Sequence, residues 1–339
     1  MSVFIIAEAG VNHNGNINLA KKLVDIAVEC KVDAVKFQTW KTDLLVTKNA
    51  IQAKYQIKNT NNQQSQYDML KKLELTYENF IELKNYCDQK NILFLSTADE
   101  IESANFLYNL QDIFKIGSGE LTNIPFLEAI GQFKKKIILS TGMGTLSEID
   151  YALNTIISAG TPKKNITLLH ATTEYPAPLE EVNLKAIKTM HDTFKIDVGY
   201  SDHTMGIEIA IAATSLGATI IEKHFTIDKN MEGPDHKASI EPHELKVMVN
   251  TIRNIEKALG NGIKTPTYAE QRNIPIVRKS IIAQKFIKKG DIFNSKNITT
   301  KRPLNGICAS EWNNVIGLHA NRDYNQDEHI DKIVLKDKK

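Results

Sequence analysis

Eight short runs rich in β-branched residues recur along the first two-thirds of the chain, with helical patterns between them. They are VFIIAE (3–8), VDAVKFQ (32–38), ILFLST (92–97), IFKIGS (113–118), KIILST (136–141), ITLLHAT (166–172), IDVGYSD (196–202) and ATIIEKHF (218–225). Near-continuous apolar runs of this kind belong to parallel strands covered on both faces. The intervening segments read as helices. INLAKKLVDIAVEC sets Leu19, Leu23, Ile26 and Cys30 on one face. TLSE (145–148) is a capping box ahead of Ile149, Leu153 and Ile156, and Pro242 stands where a first helical turn tolerates it. Eight such units predict an α/β fold, a (β/α)8 TIM barrel, because closing the sheet leaves no exposed edge. A doubly wound open sheet would carry a GxGxxG turn after its first strand, and AGVNHNGN lacks that spacing.

Two departures from regular spacing add detail. Strands two and three are separated by about fifty residues, including the polar stretch YQIKNTNNQQSQYD. A long barrel insertion falls in the loops of the catalytic face and often covers it; the competing expectation is a floppy excursion. After the helix ending near Gly260, NGIKTPTYAEQRN has linker composition. The division expected is therefore a barrel over 1–262, a linker over 263–274 and a small mixed domain over 275–339 with KKGD as a tight turn. So small a unit is expected to dock on something.

Composition narrows the function classes. Of 339 residues 42% are apolar and 24% charged, and the formal net charge is +2, with no basic block beyond the tail IVLKDKK. Nucleic-acid binding has no electrostatic footprint in such a chain. Three scattered cysteines, Cys30, Cys87 and Cys308, form no CxxC pair, which fits a reducing cytoplasm. The first residues carry no basic n-region, and no stretch approaches the ~20 apolar residues of a membrane span. A cytoplasmic protein without membrane or nucleic-acid partners is expected.

Polar residues at the carboxyl ends of barrel strands mark the site, since that face holds the chemistry. Every strand here supplies some: Glu8; Lys36 and Gln38; Ser96 and Thr97; Lys115, Ser118 and Glu120; Ser140 and Thr141; His170, Thr172 and Thr173; Ser201, Asp202 and His203; Glu222 and His224. His203 and His224, on adjacent strands, can hold a divalent metal such as Mn²⁺. Lys36 and Lys115 with the hydroxyls of Thr97, Ser118, Ser140 and Ser201 suit a phosphate-bearing anion. A lysine inside a barrel can instead be a Schiff-base nucleophile, for which Lys115 and Lys223 are the candidates. Glu8 and Glu120 are the carboxylates available for proton transfer, or for pairing with those lysines.

The segments IIAEAGVNHNG, VKFQT, FKIGSGE, ILSTGM, LLHATTEYPAP, GYSDHT, EKHFT, GPDHKAS and TKRPLNG, in this order and spanning nearly the whole chain, resemble the sialic acid synthase family. The resemblance implies condensation of phosphoenolpyruvate with an N-acetylated mannose-type sugar. It also implies a C-terminal SAF (antifreeze-like) domain and a domain-swapped homodimer that brings Arg302 over the partner's barrel. It makes His203 and His224 the metal ligands, usually of Mn²⁺ with Mg²⁺ or Co²⁺ as alternatives, and Glu8 the group handling the water proton. Lys36, Thr97, Lys115, Ser118, Ser140, Thr173 and Ser201 would contact phosphoenolpyruvate. Gln38, Glu120, Tyr175, Asp235 and Arg302 would contact the sugar.

The chain departs from the family pattern in STADE (96–100), where many members have a Pro-Phe pair after the Thr, at Ala171, where Cys is common, and at Thr173, which is Asn in some members. N-acetylmannosamine as substrate would give N-acetylneuraminate, the branch that AKYQIKNT and ITTKRP resemble; 2,4-diacetamido-2,4,6-trideoxymannose would give N,N'-diacetyllegionaminate. The rival expectations are a Schiff-base sugar-acid lyase, a synthase for phosphorylated sugars and a non-catalytic sugar-binding protein.

Overall fold

Side-chain alternation along the strands decides what the interior holds. The computed structural model describes residues 2–60 and 63–338; Met1, two residues of the polar insertion (Asn61 and Asn62) and the last lysine of the tail lie outside the described residues. The eight strands are β1 (Phe4–Gly10), β2 (Ala34–Thr39), β3 (Leu93–Ala98), β4 (Ile113–Ile116), β5 (Lys136–Ser140), β6 (Ile166–Ala171), β7 (Val198–Asp202) and β8 (Ile220–His224). They pair in chain order, and β8 closes on β1 as a parallel neighbour, completing the expected barrel.

Val35, Phe37, Phe94, Phe114, Leu139 and Tyr200 point out of this sheet into a core shared with Leu23, Leu83, Leu127, Ile156 and Leu245 of the surrounding helices. Inside, Ile6, Ala34, Leu95, Ile138, Leu169 and Ile220 form an apolar plug. Two residues further along the strands the interior turns polar: Glu8, Lys36, Thr97, Ser140 and Glu222 follow Ile6, Ala34, Leu95, Ile138 and Ile220. Register then sets who faces whom. Glu8 lies opposite Lys36 on one side and His224 on the other, Thr97 opposite Lys115, and Ser201 opposite Glu222.

The helices begin where local chemistry says they should. Asn16 caps Ile17–Cys30 by accepting from the amides of Asn18 and Leu19, and Thr145 with Glu148 forms a reciprocal box on Leu146–Ala159. The insertion after β2 contains the helices Thr42–Leu45, Lys54–Thr60 and Gln66–Leu73. Met69 and Leu73 pack with Val11 and Trp40, so its described part is anchored apolar structure rather than a floppy excursion.

Residues Asn261–Lys339 form a second compact unit, described by itself. Within the segment read as a linker, Tyr268–Val277 is a helix, capped by Thr267 and Glu270. Ser280–Ala283 pairs antiparallel with Ile298–Lys301 over a core that includes Ile287, Phe293, Val315, Tyr324 and Ile330. KKGD is a tight turn, with the Asp291 amide donating to the Lys288 carbonyl and Gly290 at φ +89°. Among the described residues no helix is long and apolar enough to cross a membrane.

His236, to which the sequence assigned no role, is structural. Its Nδ1 lies 2.6 Å from Thr226 Oγ1 and its Nε2 3.2 Å from Asn14 Oδ1, tying the loop after β8 to the loop after β1. Beside it, burial and the neighbouring His236 lower the His13 imidazole to about 4. An imidazole whose folded pKa lies below its unfolded value of about 6.5 contributes stability that is complete above that value and lost as pH falls toward 4. From His13 alone the loss approaches about 3 kcal/mol near pH 4. Urea midpoints measured from pH 7 to 4.5 should therefore fall, and His13→Gln should flatten part of that slope.

Candidate active site

Polar groups placed inside a barrel have lost most of their water, so they must satisfy one another or a ligand. Lys36 Nζ sits 2.7 Å from Glu8 Oε2 and 3.7 Å from Glu222 Oε2, and donates to Thr97 Oγ1 at 2.9 Å. Lys115 Nζ lies 3.4 Å from the other Glu222 oxygen, which also accepts from Ser201 Oγ at 2.8 Å. Gln38 Nε2 donates to Glu8 Oε1 at 3.0 Å. Both lysines and both glutamates are buried.

Their proton affinities diverge in consequence. Burial raises Glu8, and the charge of Glu222 adds to the effect against the opposing pull of Lys36. Burial also works against an ionised Glu222, but Lys115 and Lys36 together overcome it and hold that carboxyl at about 2. The protonated form is thus favoured at Glu8, whereas the two ammonium groups favour an ionised Glu222.

These groups line a cavity of about 170 Å³ at the carboxyl mouth of the barrel. Of the residues expected there, Glu8, Lys36, Gln38, Thr97, Lys115 and Ser118 face it from the first four strands and their loops. Ser140, Thr173, Tyr175, Ser201, His203 and His224 face it from the remaining four. The Ser140 and Thr173 hydroxyls are buried without a hydrogen-bond partner among the described residues, as expected of donors waiting for a ligand. Glu120 follows Ser118 in the loop after β4 and accepts from Asn123 Nδ2 at 2.5 Å; burial raises its carboxyl. Asp235 lies outside the cavity lining, its Oδ2 4.0 Å from His224 Nδ1, with burial and the charge of Glu8 pushing it up to about 7. Arg302 is exposed in the second unit. A wider cleft of about 360 Å³ beside β5 and β6 includes Thr141 and His170, but backbone carbonyls already satisfy both side chains.

The two imidazoles suit metal ligation. His203 Nδ1 is 2.7 Å from the Thr172 carbonyl, which can only accept, so that nitrogen carries the proton and Nε2 keeps its lone pair. His224 Nδ1 is buried with no hydrogen-bond partner among the described residues. The ring centroids are 5.7 Å apart. Burial lowers His203 to about 4, and burial with the nearby His203 lowers His224 well below its ordinary value, leaving both neutral at pH 7. Gly10 (φ +51°) makes room for the second ring, since a Cβ there would meet His224 Cε1 at 3.2 Å. Among the described residues no cluster of three or more His, Cys, Asp or Glu side chains could hold a metal.

Glu222, read from the sequence as one of the strand-end groups but given no role of its own, lines the cavity. Three further residues escaped the functional reading of the sequence. Asp99 also lines the cavity. Tyr55 and Asn59, in the helix Lys54–Thr60, contact the loops after β6 and β8: the Tyr55 ring lies 5.1 Å from that of Tyr175, and Asn59 Nδ2 donates to the Pro234 carbonyl at 2.8 Å. No local pattern announces either residue, because docking of the insertion places them. Lys223, a Schiff-base candidate by sequence, faces the other side of β8. It is fully buried against Asp202 at 2.7 Å and the Thr204 carbonyl at 2.8 Å, away from the cavity lining.

A closed parallel barrel with buried ammonium groups, unfilled hydroxyl donors and paired imidazoles at its carboxyl mouth defines a TIM-barrel enzyme built around an anionic substrate. The NeuB family model matches residues 23–264, and the chain belongs to that family. It is 55% identical to an N,N'-diacetyllegionaminic acid synthase of Campylobacter jejuni over 96% of this chain and 98% of that one. Identity to the protein of the same name from Legionella pneumophila is 44%, over 94% and 90% of the two chains. Among solved structures, the N-acetylneuraminic acid synthetase of Leptospira borgpetersenii, crystallised with citrate, superposes with a TM-score of 0.70 at 36% identity, covering 81% of this chain and 90% of that one.

Removing one partner from a buried charge pair is far costlier than removing both. Lys115→Met should cost about 3–5 kcal/mol in urea unfolding. Adding Glu222→Leu should recover most of that loss. A double variant as unstable as the single one would show that the two groups are not coupled.

Proposed function

We propose that this chain condenses phosphoenolpyruvate with an N-acetylated mannose-type sugar and water, releasing phosphate and a nonulosonic acid. The observation that carries the reading is the convergence of two buried ammonium groups and two neutral imidazoles on one cavity. Membership of the family, and the synthase names of similar proteins, support it.

In this reading Lys36 and Lys115 neutralise the carboxylate and phosphate of phosphoenolpyruvate. Thr97, Ser118, Ser140, Thr173 and Ser201 supply hydroxyl donors to the same anion. Gln38 and Tyr175 orient the sugar, with Glu120 and Asp235 at the margins. C3 of phosphoenolpyruvate bonds to C1 of the open-chain sugar as the aldehyde π bond opens to an alkoxide, Glu8 accepts the proton of the water that adds at C2, and one proton is returned to the alkoxide to give the sugar hydroxyl. The resulting tetrahedral carbon collapses, its bond to the phosphate oxygen breaks, and a 2-keto acid remains. A divalent metal held by His203 and His224, Mn²⁺ in the first instance with Mg²⁺ or Co²⁺ as substitutes, would supply Lewis-acid polarisation of the sugar aldehyde.

Further parts of the proposal rest on the resemblance. Residues 1–262 are the synthase barrel, 263–274 a linker and 275–339 a SAF-type domain. The active form is a cytoplasmic domain-swapped homodimer in which Arg302 of the partner subunit completes the sugar site; three unpaired cysteines fit a reducing compartment. N-acetylmannosamine and 2,4-diacetamido-2,4,6-trideoxymannose both meet the description of the sugar. The two relatives at 55% and 44% identity favour the diacetamido sugar as a second reading.

Phosphate release from phosphoenolpyruvate, followed with each sugar in parallel and with Mn²⁺ or EDTA, tests the proposal. Turnover with one of the sugars, abolished by the chelator, is expected. Glu8→Gln should lower kcat by about 10²–10⁴ while phosphoenolpyruvate still binds in equilibrium dialysis. No release with either sugar, together with a borohydride-trapped pyruvate adduct on Lys115, would replace the synthase with a Schiff-base lyase.

A further inference from the structure

Asp99 stands at a join where the backbone is held from both sides. Its amide donates to the Thr39 carbonyl at 3.1 Å, extending the ladder between β2 and β3. The next residue, Glu100, caps the helix Ile101–Leu107 by accepting from the amides of Glu102 and Ser103. Between these two fixtures Asp99 lines the cavity, as Gln38, Thr97 and Gly119 also do.

Its carboxyl has no hydrogen bond or ion pair among the described residues. The charged groups that act on it are Glu120 from the loop after β4, Lys36 on β2, Glu8 on β1 and Lys115 on β4. Burial and then the like charge of Glu120 push this carboxyl up to about 7. A half-buried acceptor that lines the cavity and has no donor from the protein is free to take one from a ligand in place of water. Phosphoenolpyruvate is a poor match, because its carboxylate and phosphate are themselves anionic acceptors and would be repelled. An N-acetylated sugar brings the complementary chemistry, several hydroxyls and an amide N–H.

We infer that Asp99 is a specificity-determining residue for the acceptor sugar, its carboxyl accepting a hydrogen bond from a sugar hydroxyl or amide. This rests on the synthase reading and extends it to a residue outside the expected set. Asp99 thereby joins Gln38 on the sugar side of the cavity and leaves the lysines to the anion.

The test uses the full chain with whichever of the two sugars supports turnover. Phosphate release is measured for the wild type, Asp99→Asn and Asp99→Ala, varying sugar at saturating phosphoenolpyruvate and then the reverse. Asp99→Ala should raise the KM for sugar about ten- to a hundredfold, the range of a hydrogen bond to a charged group. The KM for phosphoenolpyruvate should stay within about twofold, and Asp99→Asn, which keeps one oxygen acceptor and the shape, should fall between wild type and Ala. An unchanged sugar KM overturns the assignment. A phosphoenolpyruvate KM that moves as far as the sugar KM also overturns it, since Asp99 would then merely balance charge around Lys36 and Lys115. If the wild type itself releases no phosphate with either sugar, the synthase reading falls and takes this assignment with it, a result distinct from any effect of the variants.

Discussion

The ring of charge running from Glu8 through Lys36 and Glu222 to Lys115 is the constraint around which the upper half of the barrel is arranged. Four ionisable groups removed from water would be ruinous singly. Together, with Gln38, Thr97 and Ser201 completing the hydrogen bonds, they become tolerable. The apolar plug beneath them keeps water out from below. The barrel's parallel register brings carboxylate and ammonium side by side without a loop having to reach. That rigidity has a chemical use. A site whose dipoles and charges are already oriented does not have to reorganise when charge moves during reaction.

The arrangement also separates labour between residues of the same type. Glu8 and Glu222 differ little in burial, but Glu222 has two ammonium neighbours and Glu8 is chiefly matched by one. His203 is oriented by a main-chain carbonyl, whereas His224 is positioned by its ring contacts and the glycine beside it. Lys223 and Glu222 are adjacent in sequence and yet serve opposite faces of β8, one locking the end of β7 through Asp202 and the other facing the reaction space.

What could be read from sequence followed strand periodicity. Once eight parallel strands are granted, a polar residue two places beyond an apolar inward one must face the cavity, which locates Glu8, Lys36, Thr97 and Ser140 without any contact information. Parity applied strictly would also have excluded Lys223, which lies on the face of β8 opposite to Glu222. Tyr55 and Asn59 lay beyond this reasoning, because their position depends on the packing of Met69 and Leu73 against Trp40, a long-range event with no periodic trace. Asp99 lay at its edge. The ladder with β2 continues to its amide after β3 has formally ended, so a strand boundary drawn at Thr97 hides it.

The docking of the helix Lys54–Thr60 has a consequence for how the cavity could change size. At about 170 Å³ the cavity is smaller than the roughly 300 Å³ at which clefts for sizeable small molecules begin. The Tyr55–Tyr175 ring contact and the Asn59 hydrogen bond to the Pro234 carbonyl join the insertion to the loops after β6 and β8. Three separate excursions of the chain are thus tied to one another. Any widening of the cavity for a larger molecule would then be a concerted movement of these loops rather than the displacement of one.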